Sequence, residues 1–276
     1  MEQEIFPRVK RDFRVTEFRA IIGHSRGGAF LASTLFSEKR NLFHAYLAIS
    51  PGMNYIDGQI LKDAQKMIQA RTAFHKFYFC SHGTVGSVEG YMKPQVEFLD
   101  SLFGAHPNPS IEWHKAVFPG KSHWGVVAPS VAEGILAMNR AYQVDQLLIE
   151  KFARNEGQAM GEQIKAYTNR QQERLGYTLK LDADRLRGYG DGFSDQENYP
   201  RAMELYDLSL ELEPNDVSSY LRKASVYREL KKPEKAEATY QKALEILDSN
   251  EDQLDEETVK KSRERIMQKL ENMKNE

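Results

Sequence analysis

The chain reads as an α/β fold, a parallel sheet with crossover helices, followed by an all-α unit of helical repeats. Up to about residue 143, short apolar runs of strand length alternate with helix-like stretches. Such alternation is the pattern of parallel strands joined by crossover helices. From residue 144 onward the sequence turns polar and helical and repeats itself at a fixed period. The expected organisation is therefore a sheet-bearing domain over 1–143, a helical linker over 144–182 and a repeat unit over 183–276.

The strand-length runs lie at 18–22, "FHAYLAIS" (43–50), "KFYFCS" (76–81) and "IEWHKAVF" (111–118). Helix-like stretches lie at 57–70, 91–104 and 127–142, and the opening "MEQEIFPRVKRDFRV" reads as a helix leading into the first strand. Sheets of this kind gather ligands at the carboxyl ends of their strands. Ser25, the 81–89 loop and His123 each fall just past such an end, so one site can draw on all three.

In the second region Leu186, Gly190, Phe193, Ala202 and Tyr206 recur 34 positions later as Tyr220, Ala224, Tyr227, Ala236 and Tyr240. Large, small and aromatic residues in these slots at this period are the tetratricopeptide signature. Small residues let two antiparallel helices approach, and aromatics fill the space between neighbouring pairs. Pro214 closes the first repeat, whereas Asp248 occupies the corresponding place in the second. The segment 255–276 reads as a polar capping helix. Two repeats are few for a free-standing solenoid, so the unit is expected to lean on the first domain or to dock a protein partner or another copy of the chain.

Composition narrows the function classes. With 41% hydrophobic and 28% charged residues the chain can build a core, which argues against wholesale disorder. A net charge of -2 gives no electrostatic footprint for nucleic acid. Cys80 is the single cysteine, which excludes an intrachain disulfide framework and a cysteine-rich zinc site. No apolar run reaches the length of a membrane span. The charged N-terminal sequence has no signal-peptide core, so as written the chain is expected in the cytoplasm.

The chemistry is concentrated in "FRAIIGHSRGGAFLAS" (18–33), where Gly23-His24-Ser25-Arg26-Gly27 fits G-x-S-x-G between a strand and a helix. In that motif the serine sits on a strained elbow, and the glycines let strand and helix approach. A serine hydroxyl needs a base to take its proton and donors to hold the oxyanion. His123, in "VFPGKSHWGVV" after the last strand, is the expected base, in the chain order serine, acid, histidine. His82, just past the third strand, is its rival. His44, His75, His106 and His114 read as structural or solvated, and His24 lies within the elbow. Glu89 is the sole carboxylate in "SHGTVGSVEGYM" and the expected acid, against the simpler reading of a helix-capping glutamate. A serine–histidine dyad is the other arrangement these residues allow. The backbone N–H of Arg26 is the expected oxyanion donor.

Four blocks in order, "RAIIGHSRGG", "YLAISPGMNY", "FYFCSHGTVGSVEGYM" and "FPGKSHWGVVAPSVAEGI", resemble the esterase family of α/β-hydrolases that includes esterase D and the ferric enterobactin esterases. Some members carry tetratricopeptide repeats after the hydrolase domain. The resemblance covers about residues 5–143. It implies carboxylic-ester hydrolysis of a small-molecule ester through an acyl-enzyme, without metal or organic cofactor. Ser25 matches the nucleophile, His123 the base and, more loosely, Glu89 the acid. Met53, Asn54 and Tyr55 stand where relatives often carry aromatic residues near the substrate. Relatives place about half of the sheet, and the second oxyanion donor, before the nucleophile strand, where this sequence has some seventeen residues. The expectation is the C-terminal part of a hydrolase domain with weakened activity. A lipase-like or thioesterase-like hydrolase differs from this reading only in substrate. A tetratricopeptide interaction module with a non-catalytic hydrolase remnant is the alternative from another class.

Overall fold

The computed structural model describes residues 1–55, 57–177, 181–250 and 256–274. Its contacts divide the chain into two compact units, Met1–Gln143 with Thr168–Leu179, and Val144–Tyr167 with Lys180–Glu276.

The first unit opens with helix α1 (Ile5–Asp12) and then alternates: β1 (Ala20–His24), α2 (Arg26–Leu35), β2 (Ala45–Ile49), α3 (Gln59–Gln69), β3 (Lys76–Gly83), α4 (Ser87–Ala105), β4 (Ile111–Phe118) and α5 (Val127–Tyr142). All four strands are parallel and lie side by side in chain order. β2 and β3 are buried along their whole length, which is why they read as continuous apolar runs. Tyr46, Ala48, Tyr78 and Cys80 face a core shared with α2, α3 and α4. Leu47 and Phe79 instead meet Gly134 of α5, where an added Cβ would lie 2.8 Å from Leu47. β1 pairs with β2 alone among the described residues.

Element limits move where tertiary contacts compete with local pattern. β1 starts at Ala20 rather than at 18. The Phe18 ring packs against His44, Tyr142 and Tyr177, and the Arg19 N–H donates to His44 Nδ1 at 3.1 Å. β3 runs on to Gly83 because β4 pairs with it as far as Phe118. α4 begins at Ser87 rather than 91, with Gly86 before it at φ 93°, so Glu89 enters the helix's first turn.

In the second unit α6 (Gln146–Ala153) and the start of α7 (Met160–Leu175) precede α8 (Ala183–Asp195), α9 (Tyr199–Leu212), α10 (Val217–Glu229), α11 (Pro233–Ser249) and α12 (Glu256–Lys274). Asp182, Asn198 and Asp216 cap α8, α9 and α10 by accepting from backbone N–H groups of the first turn. The repeated positions are the packed ones. Leu186, Ala202, Tyr206, Ala224, Ala236 and Tyr240 are buried, and an added Cβ on Gly190 would stand 2.6 Å from the Tyr206 ring. α11 runs through Asp248 to Ser249, as a helix does where no proline stops it. Val259 and Ile266 of α12 pack with Ala236 and Tyr240. Of the expected capping segment 255–276, residues 255, 275 and 276 lie outside the described residues, as do 178–180 of the stretch between the two regions. Among the described residues no helix is long and apolar enough to cross a membrane.

Candidate active site

The parallel register sets out the site. His24, Ile49 and Ser81 form one rung across β1, β2 and β3, and one step further along stand Ser25, Ser50 and His82. The ladder continues past the strands: the Ser25 N–H donates to Ile49 O at 2.9 Å, and the Ser50 N–H to Ser81 O at 2.8 Å.

Ser25 has φ 56° and ψ -114° directly before α2, a backbone conformation that an L-residue holds only when its surroundings impose it. Here they do. An added Cβ on Gly23 would fall 2.6 Å from the Gly27 carbonyl carbon, and one on Gly28 would lie 2.9 Å from Pro51 Cβ. One on Gly27 would meet open space. The close approach thus rests on Gly23 and Gly28, and only the first of these is a glycine of the pentapeptide pattern. The N–H of Arg26, the first residue of α2, has no carbonyl one turn earlier to bond, as at any helix start.

Glu89 is fully buried. Its Oε1 accepts from Ser50 Oγ at 2.5 Å and lies 2.8 Å from His123 Nδ1, while Oε2 accepts from the Gly83 N–H at 2.5 Å. The first turn of a 19-residue helix is also where the backbone dipole favours a carboxylate. His123 lies on the loop between β4 and α5, with only 11% of its side chain exposed. That loop is seated on the end of β3: Lys121 O accepts from the N–H groups of Thr84 at 3.0 Å and Val85 at 3.1 Å. An added Cβ on Gly83 would come within 2.2 Å of the same oxygen.

Nδ1 of His123 faces the carboxylate, so it carries the ring hydrogen and Nε2 is left as the basic nitrogen. Among the described residues Ser25 Oγ makes no hydrogen bond to this ring, a looseness common at such sites before substrate binds. His24 joins the two segments instead. Its Nε2 donates to the His123 carbonyl at 2.9 Å, and the two rings stand 4.3 Å apart. Burial, then the neighbouring His123, holds His24 below the usual imidazole range, which suits a neutral ring donating through Nε2.

His82 has other partners. It is fully buried, with Nδ1 2.7 Å from Gly83 O and Nε2 3.0 Å from Glu97 Oε1. Both ring nitrogens are thus engaged by buried partners away from Ser25. Glu97 also pairs with Lys115 at 2.8 Å. Cys80 is buried and its thiol is pushed up to about 12, which removes it as a nucleophile. His44, His75 and His114 are engaged with Arg19, the Glu173 carbonyl and Glu112 respectively.

Around the elbow, Trp124 is 79% exposed beside His24, and Tyr55 stands 5.9 Å from the Arg26 guanidinium. Met53 is fully buried, and the Asn54 N–H donates to Gln95. Sequence reasoning passed over Ser50, since "SPG" past a strand has the look of a turn. The one signal was its place at a strand's carboxyl end, level with Ser25.

Set against known proteins, residues 217–246 match the family model for a tetratricopeptide repeat. The siderophore enterobactin esterase of Emericella nidulans is 34% identical over 103 residues, which make up 37% of this chain and 32% of that protein. One part of this chain is thus similar to a siderophore esterase, and residues 217–246 to a tetratricopeptide repeat. The crystal structure of an IroE-like serine hydrolase from Shewanella oneidensis matches with a TM-score of 0.61 at 18% identity, over 76% of this chain and 65% of that one. An uncharacterised protein from Capnocytophaga ochracea matches with a TM-score of 0.62 at 13% identity, over 99% of this chain and 73% of that one. At such identities the likeness is one of fold. The chain spans about a third of the curated relative's length, 32%, in this match.

Proposed function

We propose that the first unit holds a serine carboxylic-ester hydrolase site working through an acyl-enzyme, with Ser25, His123 and Glu89 as nucleophile, base and acid. The observation that carries this reading is the fixed His123–Glu89 pair, an imidazole whose Nδ1 is held 2.8 Å from a fully buried carboxylate beside a strained serine elbow.

In the proposed reaction His123 Nε2 takes the Ser25 hydroxyl proton as Oγ bonds to the ester carbonyl carbon. The carbonyl oxygen gains the negative charge and accepts from the Arg26 N–H. Collapse breaks the bond to the alcohol oxygen, which leaves with the proton from His123, and a water repeats the sequence to free the acid. Glu89 keeps the ring's hydrogen on Nδ1 and stabilises the imidazolium. Arg26 N–H is the one oxyanion donor named, and loss of a second donor typically costs about 10²–10³ in kcat. The substrate is a small-molecule ester, and the curated relative's name makes siderophore esters sensible candidates. The repeats of the second unit are assigned the docking of a protein partner or of another copy of the chain.

The test is labelling of the full chain by a fluorophosphonate together with turnover of a short p-nitrophenyl ester. Ser25→Ala should abolish both. If the folded chain is neither labelled nor active, the alternative holds, an interaction module with a non-catalytic hydrolase unit.

A further inference from the structure

We propose that Ser50 is a positioning residue for this site. Its hydroxyl locks the Glu89 carboxylate and gives the His123 Nδ1–H a second acceptor, so the ring keeps one tautomer and one orientation. The proposal rests on the esterase reading only for its kinetic consequence.

Three atoms form a closed triangle. Ser50 Oγ lies 2.5 Å from Glu89 Oε1 and 3.0 Å from His123 Nδ1, and Nδ1 lies 2.8 Å from the same Oε1. Two hydrogens serve these three contacts. The carboxylate oxygen supplies neither, so the hydroxyl hydrogen and the Nδ1 hydrogen both point at Oε1. The Ser50 oxygen then presents lone pairs to Nδ1–H, which is shared between two acceptors. Turning the imidazole breaks two contacts rather than one, and positive charge arriving on the ring meets a fixed oxygen as well as the carboxylate. Burial of Ser50 and Glu89 removes water as a substitute partner.

A purely structural serine would not be placed this way. Ser50 holds φ 41°, in the left-handed region where glycine is at ease and other residues are strained. Its N–H bond to Ser81 O would survive with any residue but proline at the position. Glycine would relieve the backbone and keep the turn, so the hydroxyl is the part that argues for serine.

Ser50→Gly in the full chain separates the two roles. The expected result is a folded protein with a modest shift in thermal midpoint, because relief of the backbone offsets part of the lost bond to Glu89. With a p-nitrophenyl ester, kcat should fall ~10- to 100-fold with KM unchanged, the scale of one hydrogen bond to a charged group. In a Glu89→Gln background the same change should cost less than about 3-fold, because the two residues act on one ring. Nitrogen NMR of the His123 ring should show a single Nδ1–H tautomer in the parent and a mixture in Ser50→Gly, a readout that needs no activity. An unchanged tautomer, or an equal loss in both backgrounds, would overturn the role of Ser50. Survival of turnover in Ser25→Ala would sink the esterase reading instead and leave the NMR result to judge Ser50.

Discussion

The two units solve the problem of packing in opposite ways. In the second, the helices from α8 onward pack chiefly on their sequence neighbours, α8 with α9, α10 with α11 and α11 with α12. The same slots, filled by the same kinds of residue, recur 34 positions apart. In the first, residues 50, 89 and 123 come from three separate connections and are hydrogen-bonded at the end of the sheet where Ser25 also lies. A repeat spreads its stability over many similar contacts, as nearest-neighbour architectures do. The sheet concentrates the proposed chemistry in a few dissimilar ones. Damage should therefore be graded in one unit and abrupt in the other.

The largest expected effect tests that abruptness. His123→Ala should lower ester turnover by about 10⁴–10⁶, as Ser25→Ala should, since the proposed nucleophile and base act as a unit. Glu89→Gln should cost less than either. His82→Ala should instead lower the thermal midpoint, because it empties a buried place bonded to Glu97 and Gly83. Single-turnover kinetics with calorimetry on the three variants checks the set. A severe kinetic loss in His82→Ala beside a mild one in His123→Ala would reverse the assignment.

Acid should act on the first unit at a place remote from the proposed chemistry. Burial, then the charges of Lys76 and Arg19, lowers His44 from its usual 6.5 to about 4. Its Nδ1 must keep a lone pair for the Arg19 N–H. Between pH 6.5 and about 4 the unfolded ring binds a proton that the folded ring refuses, so stability rises with pH across that window and drains away as acid is added. Urea midpoints should fall on acidification, and His44→Gln should flatten that part of the curve. An unaltered slope in the variant would place the acid sensitivity elsewhere.

The graded unit is tested by two glycines of one helix. Gly190→Ala would drive a Cβ into the Tyr206 ring, whose hydroxyl is bonded to Asp191 at 2.8 Å. Overpacking of about 1–3 kcal/mol should outweigh the gain in helix propensity of about 1 kcal/mol. Gly192→Ala meets open space and should keep the gain. Denaturant titration giving the same sign for both would contradict the repeat register.

The smallest effect concerns the sheet's margin. Ile22 on β1 is 42% exposed, on a strand paired on one side only among the described residues. Such an edge invites pairing with another chain. Ile22→Lys should leave stability within about 0.5 kcal/mol while raising the monomer fraction in sedimentation at high concentration. No change in association would mean the edge is inert.

What could be read beforehand follows the same division. The alternation of the first region and the 34-residue period of the second are local patterns, and both are found in the structure. Ser25 carries its context in the chain, because Gly23 and Gly28 beside it permit the elbow. Glu89 and His123 could be named from their places after β3 and β4, but their pairing depends on Lys121 seating one connection on another. Ser50 and the engagement of His82 with Glu97 arise only from register and from helix α4, and no spacing in the sequence encodes them. The start of β1 was misjudged for a like reason, since Phe18 packs on rings distant in sequence.

The Lys121 carbonyl has a further meaning for how the site comes apart. It accepts from both Thr84 and Val85, immediately before the helix that carries Glu89, and it lies two residues ahead of His123. The proposed base and acid are therefore tied through this carbonyl as well as through their own contact, and a fluctuation that opens the latch loosens both segments. Such a latch is a local unfolding unit with its own free energy, below that of the buried strands. The Thr84 and Val85 amides would then exchange with solvent hydrogen at a common rate, faster than those of β2 and β3. On warming, the proposed ester turnover would be lost in step with those two amides, while the sheet beneath them is still intact.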